Sequence, residues 1–402
     1  MMRKFFVISF LMVLLLPIMS GCWNQKELTD LAFVMAMGID KGEDKKFDVS
    51  FQLVNPGNVA SGQNGGGQGL PIAVYKSSGN TITEAARNAT KMISRRLYYS
   101  HTNLIAVSEE VARDGILDMM DALDRDPEFR TTTQIVVARH TSAQDLVSAL
   151  TNLDKLPVNK ITKELKSTEK MLGENIGVNI DDFLAGLVSD GKNPIVNGYI
   201  VHGKKEQIGN AQDLQKTIGG AFLEADGLAV FEKGKLIGWF EHQWARGVVY
   251  VLDKVQSTGI NVSWNGKKHA ITMASIRSKT KVSVHFKNGK PLINIAIEDE
   301  GWISEANTAV DLTNPQVIDK IDKLVEKEIK RQVLGSIKEA QKMKSDIFGF
   351  GERVHRANPK QWKKLKGDWN NHFAELDVNV KVDSFVRREG IRTSPFWINM
   401  NK

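Results

Sequence analysis

Few residues in this 402-residue chain are spaced for catalysis. The stretch "GLVSDGKN", Gly186 to Asn193, comes nearest to a phosphate-cradling loop. Its lysine is followed by Asn193, where a magnesium-holding hydroxyl is needed, and Pro194 denies the helix whose amides would receive the phosphate. Asp121, Asp124, Asp126 and Glu128 crowd around Arg125. A calcium loop needs other spacing and a glycine turn, so these acids read as helix-end charges paired with Arg125 and Arg130. The eight histidines make no H-x-x-x-H or H-E-x-x-H pair, and no G-x-S-x-G elbow occurs. His355 stands between Arg353 and Arg356 with no catalytic partner in the sequence around it. Trp362, Trp369 and Phe373 lie among Lys360, Lys363, Lys364 and Lys366. That mixture can bind nucleic acid, but here it reads as core aromatics beneath a basic face, with membrane or partner contact second. The expectation is a protein with no catalytic residues, no metal and no cofactor.

One thiol remains, Cys22, the only cysteine of the chain. A single cysteine closes no internal disulfide. Its setting assigns it another chemistry. Arg3 and Lys4 are followed by a 14-residue apolar run, Phe5 to Ile18, and then Met19, Ser20 and Gly21 lead into the cysteine. This is the layout of a secretory signal peptide, too short for a bilayer span of about 20 residues. Cysteine directly after Ser-Gly resembles a bacterial lipobox, with Met19 where Leu is usual. There the thiol takes a diacylglyceryl group and cleavage leaves the cysteine as the new N-terminus. Two acyl chains anchor stably where one binds reversibly. The expectation is a thiol-free mature chain, tethered by Cys22 and working outside the membrane.

The elements that must follow this tether alternate in type. Leu31 to Ile39 reads as a buried strand and Phe47 to Leu53 as a half-buried one. Six glycines between Gly57 and Gly69 predict a long mobile hairpin loop. Ile72 to Lys76 returns as a strand, and a helix capped by Thr81 or Thr83 runs through Glu84 to Leu97. "TNLIAVS" and "TTQIVVARH" read as strands. Residues 115–129 and 142–150 read as helices, the first stopped near Pro127, the second capped by Ser142. Asn159 to Leu187 is helical in pattern. Hairpins follow, turning at Lys233-Gly234, within "NVSWNGKKHAITM" and at Asn288-Gly289. Asn314-Pro315 opens a long helix with an apolar stripe from Ile318 to Ala340 and lysines opposite, fit to cover a sheet. Leu376 to Val382 alternates as a last strand. The expected fold class is α+β (mixed α/β), three domains of sheet packed with helices behind an N-terminal lipid anchor. The segments are 1–21, the signal peptide; 22–198, an α/β domain; 199–275, a β-rich middle domain; and 276–402, an α/β domain carrying the long helix. From Ile321 to Lys402 there are 18 Lys/Arg against 11 Asp/Glu, so this segment carries an excess equal to the whole net charge of +7. The plain reading is a solvated basic face; the sharper one is attraction to an anionic surface, and there the tether favours lipid over nucleic acid.

Four long stretches resemble one family. "GCWNQKELTDLAFVMAMGID" supplies Cys22, Trp23, Asn24, Glu27, Leu28, Asp30, Leu31, Gly38, Ile39 and Asp40. "RRLYYSHTNLIAVSEEVARDGI" and "LDRDPEFR" supply Arg96, Leu97, Tyr98, His101, Arg125, Asp126 and Arg130. "GLAVFEKGKLIGWF" is the third, and "DIFGFGERVHRANPKQWKKLKGDW", with Asp346, Gly349, Gly351, His355, Pro359, Trp362 and Trp369, the fourth. They resemble, in order, the C-subunit lipoproteins of spore germinant receptors, the Ger(x)C family, over nearly the whole mature chain. The Gly-rich loop is longer than usual and the tail after Gly390 has no counterpart. The resemblance implies a non-enzymatic, lipid-anchored subunit on the outer face of the inner spore membrane. Its partners would be a polytopic A subunit and a transporter-like B subunit, in a complex that starts germination on sensing nutrients. The one site residue it carries over is Cys22, as N-palmitoyl and S-diacylglycerol cysteine. It leaves open whether this subunit binds the small-molecule germinant. The rival reading, a solute-binding lipoprotein of a transporter, needs two lobes of alternating strand and helix, which the hairpin-rich middle speaks against.

Overall fold

The computed structural model describes Arg3, Phe5, Phe6, residues 27–388 and Pro395, leaving aside 60–68, 152, 155, 213–215 and 218. Cys22, most of the signal segment and of the Gly-rich loop, and the tail after Gly390 apart from Pro395 lie outside the described residues. The fold is mixed α+β, with its strands in two sheets.

The first sheet is built around β1 (Leu31–Lys41), β5 (Leu104–Ser108), β6 (Gln134–Ala138) and β7 (Ile195–Gly203), which run parallel in that order. Antiparallel strands extend it on both sides: β2 (Phe47–Val54) and β3 (Ile72–Gly79) beside β1, β8 (Ala221–Glu232) and β9 (Lys235–Phe240) beside β7. The short β4 (Arg96–Tyr98) pairs with the first residues of β1, Leu31 against Arg96. Burial on both faces explains why β1 and β5 are continuous apolar runs. The second sheet orders β10 (Thr258–Trp264), β11 (Lys267–Lys287), β12 (Lys290–Ala306) and β13 (Asp377–Arg388), with β13 parallel to β12. The strands of 199–275 are thus shared between the sheets.

The helices are α1 (Pro56–Val59), α2 (Ile82–Ala89), α3 (Glu109–Asp114), α4 (Leu117–Arg125), α5 (Ala143–Ser148), α6 (Pro157–Met171), α7 (Ile180–Val188), α8 (His242–Val251), α9 (Pro315–Lys342), α10 (Phe350–Ala357), α11 (Pro359–Leu365) and α12 (Trp369–Ala374). Thr81 caps α2 by accepting from the Glu84 amide at 3.0 Å, but the helix ends at Ala89 instead of running on to Leu97. Pairing of Arg96–Tyr98 with β1 overrides the helical pattern there. The helical stretch 159–187 is two helices, parted where Val178 and Asn179 touch the start of β6.

One apolar core runs under one face of the large sheet and continues through α8 and α9 to the second sheet, while a smaller core lies between the other face, α5 and α6. The long helix α9 buries Ile321, Val325, Ile329, Val333, Ile337 and Ala340 and exposes Lys323, Lys327, Lys330, Lys338 and Lys342. It crosses α8 at very close range. A Cβ on Gly247 would stand 2.2 Å from Ser336 Oγ and 2.4 Å from the Gln332 carbonyl oxygen, so only glycine fits. Ser336 Oγ fills the crossing by donating to the Trp244 carbonyl at 2.6 Å. The start of α9 is held by Asn314, whose side-chain oxygen accepts from the Gln316 amide at 2.9 Å. Asn314→Ala is expected to cost about 1 kcal/mol, read as a shift of the urea midpoint.

Candidate functional site

Three places gather the family-like residues, and each is built from distant parts of the chain. The first joins the "GLVSDGKN" stretch to the C-terminal helices. Asp346 is fully buried. Its Oδ1 accepts from the amides of Phe348 at 3.2 Å and Phe350 at 3.1 Å; its Oδ2 accepts from the Gly351 amide at 2.8 Å and Trp369 Nε1 at 2.9 Å. Burial pushes its pKa up to about 6 against the pull of these four donors. The Asp346 carbonyl takes the Asn193 amide at 2.7 Å, and the Gly191 carbonyl takes the Glu352 amide at 3.3 Å. Gly191 and Gly351 meet with no room for side chains: a Cβ on Gly191 would lie 2.6 Å from Glu352 N. Ser189 donates to Glu352 at 2.9 Å, and Lys366 reaches Asp190 at 3.4 Å. Trp362 packs edge-on to Trp369 at 5.1 Å, and His355 stacks on Trp362 at 5.9 Å. All three aromatics singled out in the sequence, Trp362, Trp369 and Phe373, are core. With both Asp346 oxygens filled by donors of the chain itself, this carboxylate holds backbone and has no lone pair to offer as a base.

The second place is a cleft of about 1290 Å³ between α2 and α4. Ile82, Ala86, Ile93, Leu97 and Tyr99 form its apolar floor, and Arg87, Arg95, Asp121 and Arg125 its rim. The acidic cluster also has a partner beyond those expected. Arg125 pairs with Asp121 at 2.7 Å, as expected, and Glu128 pairs with the distant Arg96 at 2.6 Å. Strand β4 brings Arg96 to the end of α4, which local spacing could not show. Glu128 also accepts from the Tyr99 amide at 3.4 Å, and Tyr99 stacks on Phe129 at 4.8 Å. Burial, with Asp126 and Glu128 nearby, raises the Tyr99 pKa. Tyr98 and His101 form a separate aromatic group with Phe33, at 5.8 and 5.4 Å from its ring.

The third lies at the carboxyl ends of the parallel strands, where open sheets of this kind commonly bind ligands. Asp40 accepts from the amides of Ala143 at 2.7 Å and Gln144 at 2.8 Å, so the acid of the "GID" motif caps α5. Its pKa is raised by burial, opposed by those two amides. Gly38 lets α5 come close, for a Cβ there would be 2.6 Å from the Ala143 oxygen. Just beyond β6, Arg139 sits over the Trp239 ring at 4.5 Å and pairs with Asp226 at 3.0 Å and with Glu241. Trp239 in turn donates to Glu109 at 3.2 Å. Sequence reasoning missed this cluster. The signal available was an arginine directly following the apolar run "QIVVA", facing an equally abrupt "GWFE".

Asp299, in β12, is a further buried acid that the sequence did not single out. It accepts from Ser275 Oγ at 2.8 Å and Tyr250 OH at 3.4 Å, and burial raises its pKa to about 6. Among the described residues, no three His, Cys, Asp or Glu are grouped to hold a metal ion, and no helix is long and apolar enough to cross a membrane. The family-like residues that are described thus act chiefly as joints: caps, close glycine contacts and buried acceptors.

The sequence model of the spore germination protein N-terminal domain matches residues 24–199, and that of the spore germination B3/GerAC-like C-terminal region matches 226–390. Spore germination protein KC of Bacillus subtilis (strain 168) is 40% identical over 394 residues, 97% of each chain. Spore germination protein B3 of the same organism is 24% identical, covering 94% of this chain and 96% of its own. The crystal structure of the GerBC protein shares the fold with a TM-score of 0.56 at 18% identity, over 90% of this chain and 100% of that one. The chain belongs to the Ger(x)C family of spore germination proteins.

Proposed function

We propose that this chain is the lipid-anchored, non-enzymatic C subunit of a nutrient germinant receptor, required for nutrient-triggered germination through assembly with membrane A and B subunits. The observation that carries the reading is the match to germination proteins through both halves of the chain, at 40% identity to one of them. The geometry supports it: Asp40, Gly38, Asp346 and Gly351 secure helices to sheets instead of facing a reactant. The lipid anchor is Cys22, as N-palmitoyl and S-diacylglycerol cysteine, and rests on its setting after Ser20-Gly21. The chain then works on the outer face of the inner spore membrane.

Spores carrying Cys22→Ala test this, with loss of refractility, protein level and membrane fraction measured together. The expected result is release of the protein from the membrane fraction and failure of the nutrient response. Normal germination with the protein still in the membrane would remove the tether from the account.

A further inference from the structure

The strand register places two separated features at one end of the molecule. Ala36 of β1 is level with Leu104, Leu104 with Gln134, and Val136 with Asn197, so β7 begins level with the middle of β1. These strands are parallel, so the chain enters β1 and β7 from the same end of the sheet. Leu31 starts five residues before Ala36, about 16 Å further out at ~3.3 Å per residue. Cys22 is nine residues before Leu31, a reach of at most about 30 Å. The loop before β7 leaves from that end too, three strand spacings or ~14 Å to the side. It is this loop, through Ser189, Gly191 and Asn193, that holds α10 and the residues around it.

What α10 and α11 show to solvent is basic. Arg356, Lys360, Lys363 and Lys364 are exposed, and among the described residues none has a carboxylate within ion-pair range. Lys360, Lys363 and Lys364 fall at i, i+3 and i+4 of α11, hence on one face, while Trp362 between them turns inward. The opposite end of the large sheet is mixed in charge: exposed Glu43, Asp44, Glu110 and Asp114 stand among exposed Lys41, Lys45, Lys46 and Arg113, and Lys41 pairs with both Glu110 and Asp114. The α10–α11 face thus gathers four cations near the tether, and the far end has no matching excess of either sign.

We infer that the α10–α11 face is a docking surface for anionic lipid headgroups, which turns the tethered chain so that the carboxyl ends of its parallel strands point away from the bilayer. The inference rests on the lipid-anchor reading above and adds a surface and an orientation to it. The tether supplies proximity, and the four cations supply the orientation.

The test uses the lipidated full chain in vesicles. With Cys22 acylated, a spin label goes only to a thiol introduced by Lys364→Cys on the basic face or Asp44→Cys at the far end. Collision with aqueous and lipid-soluble relaxants then reports depth. The expected result is a label at 364 shielded from water on phosphatidylglycerol vesicles, free on phosphatidylcholine, and a label at 44 free on both. Adding Lys360→Gln and Lys363→Gln should lower the docked-to-free ratio about fivefold per charge removed. A label at 364 as free as that at 44 on anionic vesicles overturns the inference alone. Equal shielding on both lipids also overturns it, since proximity would then need no charge. A chain that does not float with vesicles overturns the anchor reading and the inference with it.

Discussion

Asp346→Ala is expected to destabilise the protein by about 3–5 kcal/mol, seen as a large drop in the urea midpoint. The truncation relieves one cost, because burial holds the carboxyl at about 6 instead of 3.8, a difference that weighs ~3 kcal/mol against the ionised form. It creates four others. The amides of Phe348, Phe350 and Gly351 and the Trp369 indole lose their acceptor in a fully buried place, at about 1–3 kcal/mol each. The orphaned donors outweigh the relieved charge. Asp346→Asn should be almost as harmful. One oxygen still serves two amides, but the new NH2, set where Oδ2 was, faces the Gly351 amide and the indole, donor against donor. Trp369 fluorescence would report the local change. A midpoint loss worth less than about 0.5 kcal/mol for the Ala variant would show that the joint is held by the glycine contacts and not by the carboxylate.

That joint also marks the limit of what local pattern can reveal. The three hairpin turns were legible: Lys233-Gly234, Asn265-Gly266 and Asn288-Gly289 all have both residues at positive φ, which only such pairs adopt cheaply. So was α9, from its Asn-Pro start and apolar stripe. The sheet each hairpin joins was not legible, because strand alternation states a face and not a neighbour. Strand β13 lies parallel to β12 across some 70 intervening residues, and nothing in "LDVNVKVD" names that partner. The helix read through Arg96 failed for the same reason: pairing with β1 is a long-range gain that amphipathic spacing ignores. Buried acids are the hardest case. Asp346 meets Trp369 and Asp299 meets Ser275 through the fold, 23 and 24 residues apart in sequence. An acid inside an apolar run such as "SDIFGF" is the one local hint. The resemblance named Asp346 and Gly351 without a role, and the geometry supplies it.

Asp299→Asn is expected to stabilise the protein at pH 7.5 by about 2 kcal/mol and to do so less and less as pH falls to 4.5. The Asp299 carboxyl is fully buried, with its pKa raised from 3.8 to about 6 chiefly by burial. Between those values the native chain holds a proton that the unfolded chain has lost. Stability therefore falls as pH rises from about 4 to 6 and is level above it, the reverse of a salt-bridged acid. A carboxyl held so far above its ordinary range carries ~3 kcal/mol of penalty at neutral pH. Asn keeps the acceptor for Ser275 and Tyr250 and removes the charge. Its NH2 sits where Oδ2 has no partner, which costs about 1 kcal/mol and sets the net near 2. Asp322 and Asp346 are also raised to about 6, so the parent keeps other contributions to the same slope. The informative quantity is thus the difference between variant and parent across pH, from paired urea titrations. A gain that is absent at pH 7.5 would mean that burial does not hold the native carboxyl above its ordinary range, and a gain equally large at pH 4.5 that it comes from packing and not from the charge.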